Sequence, residues 1–392
     1  MRVIGMISGT SFDAIEAVAA DLELDGQTLV ADLRAHVSAE YPPEVHAAIA
    51  ASLPPAQTTI EAVCRLDTAI GQRFAEVASE VAEAAFGGDV DVICSHGQTV
   101  YHWVEGAHAL GTLQLGQPAF IAERTGATVV GDVRARDIAA GGHGAPLASL
   151  LDVLLLGREP DRVRGSLNLG GISNVTVVGP GREPLAYDIG PANALTDAVV
   201  AAETGGRESW DEGGARAARG TVDEELLAAF LDEPYYELSP PKSTGKELFH
   251  LAYVREKVNG HAISTDDLLA TLTALSAETV ASDLQKLGVV DLVAAGGGTR
   301  NPTLMAELAR RLPGLPIETF DVFGIPEAGK EAFVFAIIGF LTVHRLPAAV
   351  PSCTGARHAS ILGAVLPGTA PLRVQEGAQA PTGLTVRTPL RS

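Results

Sequence analysis

The sequence predicts a duplicated α/β fold in two domains, and three observations lead there. The chain has 392 residues, enough for about two domains at roughly 150 residues each. Each half opens with a strand, a turn of glycine and hydroxyl residues, and a second strand, first at Val3–Leu24 and again at Ser166–Val178. After each opening, helix-period segments alternate with short buried strands. The expected divisions are an α/β domain over residues 1–130, completed by a return segment at about 345–370; a second α/β domain over 131–344; and a tail at 371–392. A central cleft is expected between the two domains.

The elements follow in order. Val3–Ser8 is a continuous apolar run and reads as a buried strand, Gly9-Thr10-Ser11 turns the chain, and Ala14–Leu24 returns as a second strand. Asp25-Gly26 makes the next turn, and Leu29–Val37 alternates as a third strand. Pro43–Leu53 opens with proline and Ile60–Phe86 carries apolar residues at helical spacing, so both are predicted helices. Val90–Cys94 is a buried strand leading into Ser95-His96-Gly97-Gln98, and Thr128–Gly131 is another, ending at Asp132. A helix is expected over Leu147–Leu156.

The second half repeats the plan. Ser166–Gly170, a turn at Gly171–Asn174 and Val175–Val178 form the hairpin, and Asp188 stands at the exit of a strand before the Gly190-Pro191 turn. Helices are expected over Asn193–Ala202, Asp223–Leu231, Lys246–Val258 and Thr265–Leu287. Leu292–Ala295 is a strand feeding Gly296-Gly297-Gly298, followed by helices at Asn301–Leu312 and Ala332–Val343. From Pro367 the Pro/Gly-rich end reads as a poorly ordered tail.

Composition excludes whole classes. Apolar residues are 46% and charged residues 19%, which is globular and not disordered. A formal charge of -20 repels polyanions, so nucleic acid is not expected as a partner. Cys64, Cys94 and Cys353 are odd in number and lack metal-ligand spacing, and read as free thiols in a reducing compartment. The N-terminal apolar run is too short for a signal peptide, and no stretch of about twenty residues is apolar enough to cross a bilayer. A cytoplasmic protein with no membrane partner is expected.

Each candidate motif has a plain reading beside a chemical one. Gly5–Ser11 puts backbone N–H groups and two hydroxyls at a hairpin tip, where they can cradle phosphate oxygens; no Gly-Lys-Ser/Thr follows, so it is not a Walker A loop. Asp13 either holds Mg2+ through water or is a solvated turn carboxylate. Leu167–Asn174 could close on the same phosphates, and Gly296–Gly298 either admits a close backbone approach or is simply flexible. Ser95–Thr99 and Asp132–Asp137 follow strands, where α/β folds bind ligands, although a structural histidine and a solvated ion-pair loop are the plain alternatives. His143 is a loop contact or a catalytic group. Asp188 has the placement of a general base, or of a residue near a helix cap. Pro240–Lys246 suits either polar ligand contact or capping of the next helix.

Taken together and in order, Gly5–Asp13, Ser95–His102, Thr112–Pro118, Val133–Asp137 with Gly141–Leu147, Asn168–Asn174 and Pro240–Glu247 resemble the anhydro-N-acetylmuramic acid kinase family. The resemblance continues through Ala270–Thr273, Gly296–Asn301, Lys330–Phe333 and Thr354–Ala356. It implies the two-domain actin-like ATPase fold of sugar kinases, closing on ATP and sugar, with Mg2+ as cofactor and a homodimer as the assembly. It also implies a reaction: water opens the 1,6-anhydro ring of 1,6-anhydro-N-acetylmuramic acid while O6 is phosphorylated, giving N-acetylmuramic acid 6-phosphate and ADP.

By position, Gly9, Thr10, Ser11, Phe12, Asp13, Ala14, Ile15 and Glu16 resemble the ATP-binding segment, with Asp13 beside the metal and Asp188 as the water-activating base. Gly170, Gly171, Asn174, Gly296, Gly297, Gly298 and Asn301 are expected around the nucleotide, and His96, Gln98, Arg134, Asp137 and Glu331 around the sugar. Departures are Ala14-Ile15-Glu16 for the usual Gly-(Ile/Val)-Asp, Ala192 for glycine, His143 for glutamine and Val133 for phenylalanine. The alternatives are a kinase of this fold acting on another sugar or small acid, and a non-catalytic nucleotide-binding regulator.

Overall fold

Val3–Ser8 is buried at every position, so its strand, β1 (Arg2–Ser8), needs cover on both faces. In the computed structural model, which describes residues 1–9, 12–106, 108–159, 161–240 and 242–390, it has that cover. β1 lies between antiparallel β2 (Ala14–Asp25) and parallel β4 (Val92–Glu105), and β2 pairs antiparallel with β3 (Thr28–Glu40). Beyond β4 comes parallel β6 (Thr128–Gly131), while β5 (His108–Leu115) folds back on the distal half of β4. Two C-terminal strands complete the sheet: β12 (Ala364–Leu366) on β6 and β13 (Gly383–Thr388) on β3.

Helices α1 (Pro43–Ser52) and α2 (Ile60–Phe86) follow β3, and one face of the sheet packs on α2 through Ile4, Met6, Ile15, Phe74 and Val81. Short helices α3 (Ala119–Thr125), α4 (Ala135–Ala139) and α5 (Ser149–Leu156) follow along the chain. On the opposite face lies α11 (Lys330–Val343), buried from Ala332 to Thr342. It approaches so closely that a Cβ on Gly5 would overlap Ala332 O and Ala336 N. Glycine at position 5 is what permits this contact.

The second unit, Glu159–Phe320, holds β7 (Arg164–Leu169), β8 (Ile172–Val178), β9 (Leu185–Pro191), β10 (Asp291–Ala295) and β11 (Ile317–Thr319) in the order β11-β10-β7-β8-β9. β7–β8 and β8–β9 are antiparallel, and β7–β10 and β10–β11 are parallel. The first unit has the same core order, β3-β2-β1-β4-β6, with the same directions. The repetition expected from the two hairpins is therefore present in strand order and direction. α9 (Thr265–Leu287) and α10 (Pro302–Arg311) cover this sheet through Leu167, Leu169, Val280, Leu284 and Leu308. α6 (Ala194–Thr204), α7 (Glu224–Leu231) and α8 (Leu251–Val258) pack with α9 around Phe230 and Phe249.

Several boundaries differ from expectation. The units are Met1–Arg158 with the chain from Asp321 onward, and Glu159–Phe320, where divisions at 130 and 344 were expected. The return starts early because α11 packs on β1. Residues 383–388, assigned to a tail, form β13, and Arg387 and Thr388 tie it to Asp32, whose carboxyl they hold at about 2. The helix expected from Lys246 begins at Leu251, where the His250 ring accepts from the Tyr253 amide.

Candidate active site

In the second unit the sheet register builds a polar row. Asn168 on β7 faces Asn174 on β8, and Asn174 faces Asp188 on β9. Directly opposed residues share a face, and all three are half-buried. Asp188 is therefore the fourth residue of a seven-residue strand, not the exit residue expected. Its backbone is fixed: its amide donates to Lys242 O at 3.3 Å, and Tyr235 Oη donates to its carbonyl at 2.6 Å. Its carboxylate is held on one side, where Oδ2 accepts from Ser243 Oγ at 2.8 Å and from the Thr244 amide at 3.1 Å. Burial raises this carboxyl above the ordinary range; the bonds from Ser243 and Thr244 pull it down, and nearby Glu247 adds to the rise.

The glycine turns lie at one end of this row. Ala192 and Ala194 amides donate to Gly171 O, and the Asn193 amide and Nδ2 both donate to Gly170 O. Gly296 follows β10 with φ +91°, and a Cβ there would stand 2.6 Å from Asn168 Oδ1 and 2.7 Å from Leu169 O. Gly298 packs on Leu169 in the same way, while Gly297 is exposed. Among the described residues, Gly170, Gly171, Asn174, Asp188 and Gly296–Gly298 thus share the carboxyl-end edge of β7 and β10, where open α/β sheets bind ligands. The Asn301 side chain is spent on capping α10, accepting from the Leu304 amide at 3.1 Å.

The first unit carries the other predicted residues. Thr10 and Ser11 lie outside the described residues. The Phe12 amide donates to Gly9 O at 3.0 Å, and the Phe12 ring packs on His46, with Asp13 exposed just after it. Ala14 begins β2, Ile15 is buried in the core, and the Glu16 carboxylate is held by His36 and Ser38, both at 2.6 Å. Gln98 is fully buried: its Oε1 accepts from Ser8 Oγ, and its Nε2 donates to Gly9 O and Thr99 O, each at 3.1 Å. It grips the first turn from behind. Asp137, also fully buried, accepts from the Gly144 amide and Thr354 Oγ1 at 2.8 Å each, and so shapes the Gly141–Gly144 loop. Both residues were expected to face sugar; the structure commits their side chains to internal partners.

His96 Nδ1 lies 3.0 Å from Gly97 O, an acceptor only, so Nδ1 carries the proton and Nε2 is free to accept from Arg134 Nε at 2.7 Å. Burial, then Arg134, pushes the imidazole down to about 3, which keeps it neutral. Arg134 also donates to Gly144 O at 2.6 Å, so two of its five N–H groups fix its plane. Burial lowers the guanidinium, and the fields of Glu331 and Asp137 oppose this. Glu331 itself is exposed in the first turn of α11.

Sequence reasoning missed Tyr235, gave Asn168 only as a member of the second turn motif and Asn193 only as a helix cap, and left the Ser243 loop open between two roles. Asn168 had a signal, since it mirrors Asn174 across the Gly170-Gly171 turn. Tyr235 had none, because its bond to Asp188 spans 47 residues.

Two sheets of identical core order, each opening on a glycine-turn meander, with an oriented carboxylate in the second, define a duplicated α/β protein of two units. The sequence model of the anhydro-N-acetylmuramic acid kinase family matches residues 1–368. A Streptomyces coelicolor protein of that name is 55% identical over 382 residues, covering 97% of each chain. The Rhodococcus erythropolis protein is 53% identical, covering 94% of this chain and 95% of that one, and the Bordetella avium protein is 40% identical, covering 93% and 95%. This chain belongs to the anhydro-N-acetylmuramic acid kinase family.

Proposed function

We propose that this chain uses ATP and water to convert 1,6-anhydro-N-acetylmuramic acid to N-acetylmuramic acid 6-phosphate and ADP, as a cytoplasmic homodimer. The observation that supports it best is Asp188: within a chain of this family, it is a sheet-borne carboxylate whose burial favours proton uptake and whose Oδ2 is tied back by Ser243 and Thr244. In this reading Asp188 accepts the proton of a water molecule as that water attacks the anomeric carbon. The C1–O6 bond breaks, and O6 takes the γ-phosphoryl group as ADP leaves. General-base inversion at a sugar carbon needs one fixed carboxylate on the water side.

Gly9 and the Phe12–Glu16 stretch are assigned to the nucleotide, with Arg134, oriented by neutral His96, and Glu331 assigned to the sugar. Gln98 and Asp137 act on those sites through the loops they hold. Asp13, one exposed carboxylate beyond the first turn, fits Mg2+, which takes one or two carboxylates and completes its shell with water and phosphate oxygens. Bound there, the ion supplies charge neutralisation on the phosphates. No helix among the described residues is long and apolar enough to cross a membrane.

The test is ADP release with ATP and either the anhydrosugar or glucose. ADP and a phosphosugar with the anhydrosugar alone is expected. Turnover with glucose alone transfers the reading to an ordinary hexose kinase, and none with either leaves a nucleotide-binding regulator.

A further inference from the structure

The segment Pro240–Lys246 was expected either to touch a polar ligand or to cap the next helix, and three of its residues, Lys242, Ser243 and Thr244, hold Asp188. Lys242 O receives the Asp188 amide, Ser243 Oγ and the Thr244 amide both bind Asp188 Oδ2, and Lys242 Nζ lies over the rings of Tyr235 and Tyr187, at 4.8 and 5.6 Å. The segment therefore runs along the free edge of β9 and grips one residue from three directions.

We propose that Ser243 is a positioning residue for Asp188: its hydroxyl engages Oδ2 and so turns Oδ1 toward the water that Asp188 deprotonates. This inference rests on the function proposed above. The bond has a chemical consequence beyond orientation. Ser243 donates to the charged form of the carboxylate, and so keeps Asp188 ionised at lower pH than burial alone would allow.

The charged and titratable groups around Asp188 are few. Glu247, from the same segment, raises its pKa. Tyr235, from the turn Pro234–Glu237, spends its hydroxyl on the Asp188 carbonyl. Lys242 is directed onto the tyrosine rings, and Asp283 of α9 is bound by Tyr187 Oη at 3.1 Å. Asn174 on β8 is neutral. Removing the Ser243 hydroxyl leaves the Thr244 amide as the remaining donor to Oδ2.

The experiment is a pH–rate profile of the full chain with saturating anhydrosugar and ATP, for wild type, Ser243→Ala, Ser243→Thr and Asp188→Asn. Ser243→Ala is expected to lower kcat about tenfold at neutral pH and to move the acid limb upward by about one pH unit, with KM for ATP and Tm unchanged. Ser243→Thr, which keeps the hydroxyl, restores the wild-type limb. An Ala variant with the wild-type acid limb overturns the proposal, as does one whose loss appears in Tm and KM while the limb stays put. Asp188→Asn separates the two readings. If it retains turnover, the assignment of Asp188 as base is what fails; if it is inactive while Ser243→Ala is normal, only the role of Ser243 is lost.

Discussion

The hairpins β1–β2 and β7–β8 are the same device built twice, and they differ in what surrounds the turn. In both, a central parallel strand turns through glycine into an antiparallel neighbour, and a side-chain amide pins a turn carbonyl: Gln98 on Gly9 O, Asn193 on Gly170 O. The pins come from non-equivalent places. Gln98 sits on β4, the strand beside β1, whereas Asn193 follows β9 at the far end of its meander. The turn glycines themselves are alike in crowding, since a Cβ on Gly9 would meet nothing within 4 Å and one on Gly170 or Gly171 only ordinary contacts at 3.6–3.8 Å, whereas one on Gly296, in the separate turn after β10, would strike Asn168 and Leu169. The difference teaches that a duplicated backbone supplies two similar cradles, and that chemistry is then added to each separately. An exposed carboxylate, Asp13, follows one turn; a row of two amides and the gripped Asp188 lines the sheet behind the other.

The largest expected effect tests that division of labour. Asp188→Asn should lower turnover by roughly 10²–10⁴, the usual span for losing a general base, while nucleotide binding persists. The same substitution should stabilise the fold. Burial raises the Asp188 pKa, so the folded protein holds that proton more tightly than the unfolded chain does. Above the unfolded value near 3.8 the buried charge therefore costs stability, and the cost grows as pH rises until the folded group has also ionised. At neutral pH the neutral amide removes that cost, and a higher urea midpoint for an inactive variant is expected. A lower midpoint would mean that Asp188 is there to hold β9 together.

The next effect contrasts the two glycines. Gly296→Ala needs a left-handed backbone and overlaps the main chain of Leu169, so a loss of roughly 1–3 kcal/mol in urea unfolding is expected, with weakened nucleotide binding. Gly9→Ala meets open space at an ordinary φ and should leave stability within about 0.5 kcal/mol, so any rise in KM for ATP would report a ligand at the first turn. Equal destabilisation by both would erase the distinction between a turn that faces ligand and one that packs on its own sheet.

What was legible in the sequence follows the range of the forces involved. β1, α2, α9 and the turn glycines announce themselves through periodicity and local backbone demands, within a few residues of each other. β4 was expected to end at Cys94 because Ser95, His96 and Gln98 are polar, yet the strand runs on to Glu105. His96 and Gln98 can be buried because Arg134 and Ser8 satisfy them from 38 and 90 residues away. β13 was hidden for the same reason, as its anchor, Asp32, lies 355 residues from Arg387. Asp188 was singled out by its motif, but the grip on it depends on Ser243, 55 residues on, in a stretch whose Lys-Ser-Thr-Gly composition fits several roles equally. Local chemistry made Asp188 a candidate; the fold chose its partners.

The smallest effect compares the two pins. Gln98→Leu leaves Ser8 Oγ and the Gly9 and Thr99 carbonyls without their partner in a place water does not reach, and should cost about 2 kcal/mol. Asn193→Ala exposes the Leu169 and Gly170 carbonyls at a half-exposed position, where solvent can replace the amide, and should cost about 1 kcal/mol or less. The gap of about 1 kcal/mol is measurable in urea midpoints. It carries a functional counterpart: Gln98 sets the carbonyl of the turn that leads to Asp13, so its loss should raise KM for ATP even in the molecules that remain folded. If Asn193→Ala proves the costlier change, the turn of the second unit is the more rigidly held, and the open surroundings of Gly9 would then reflect a turn that shapes itself on the phosphates instead of one formed in advance.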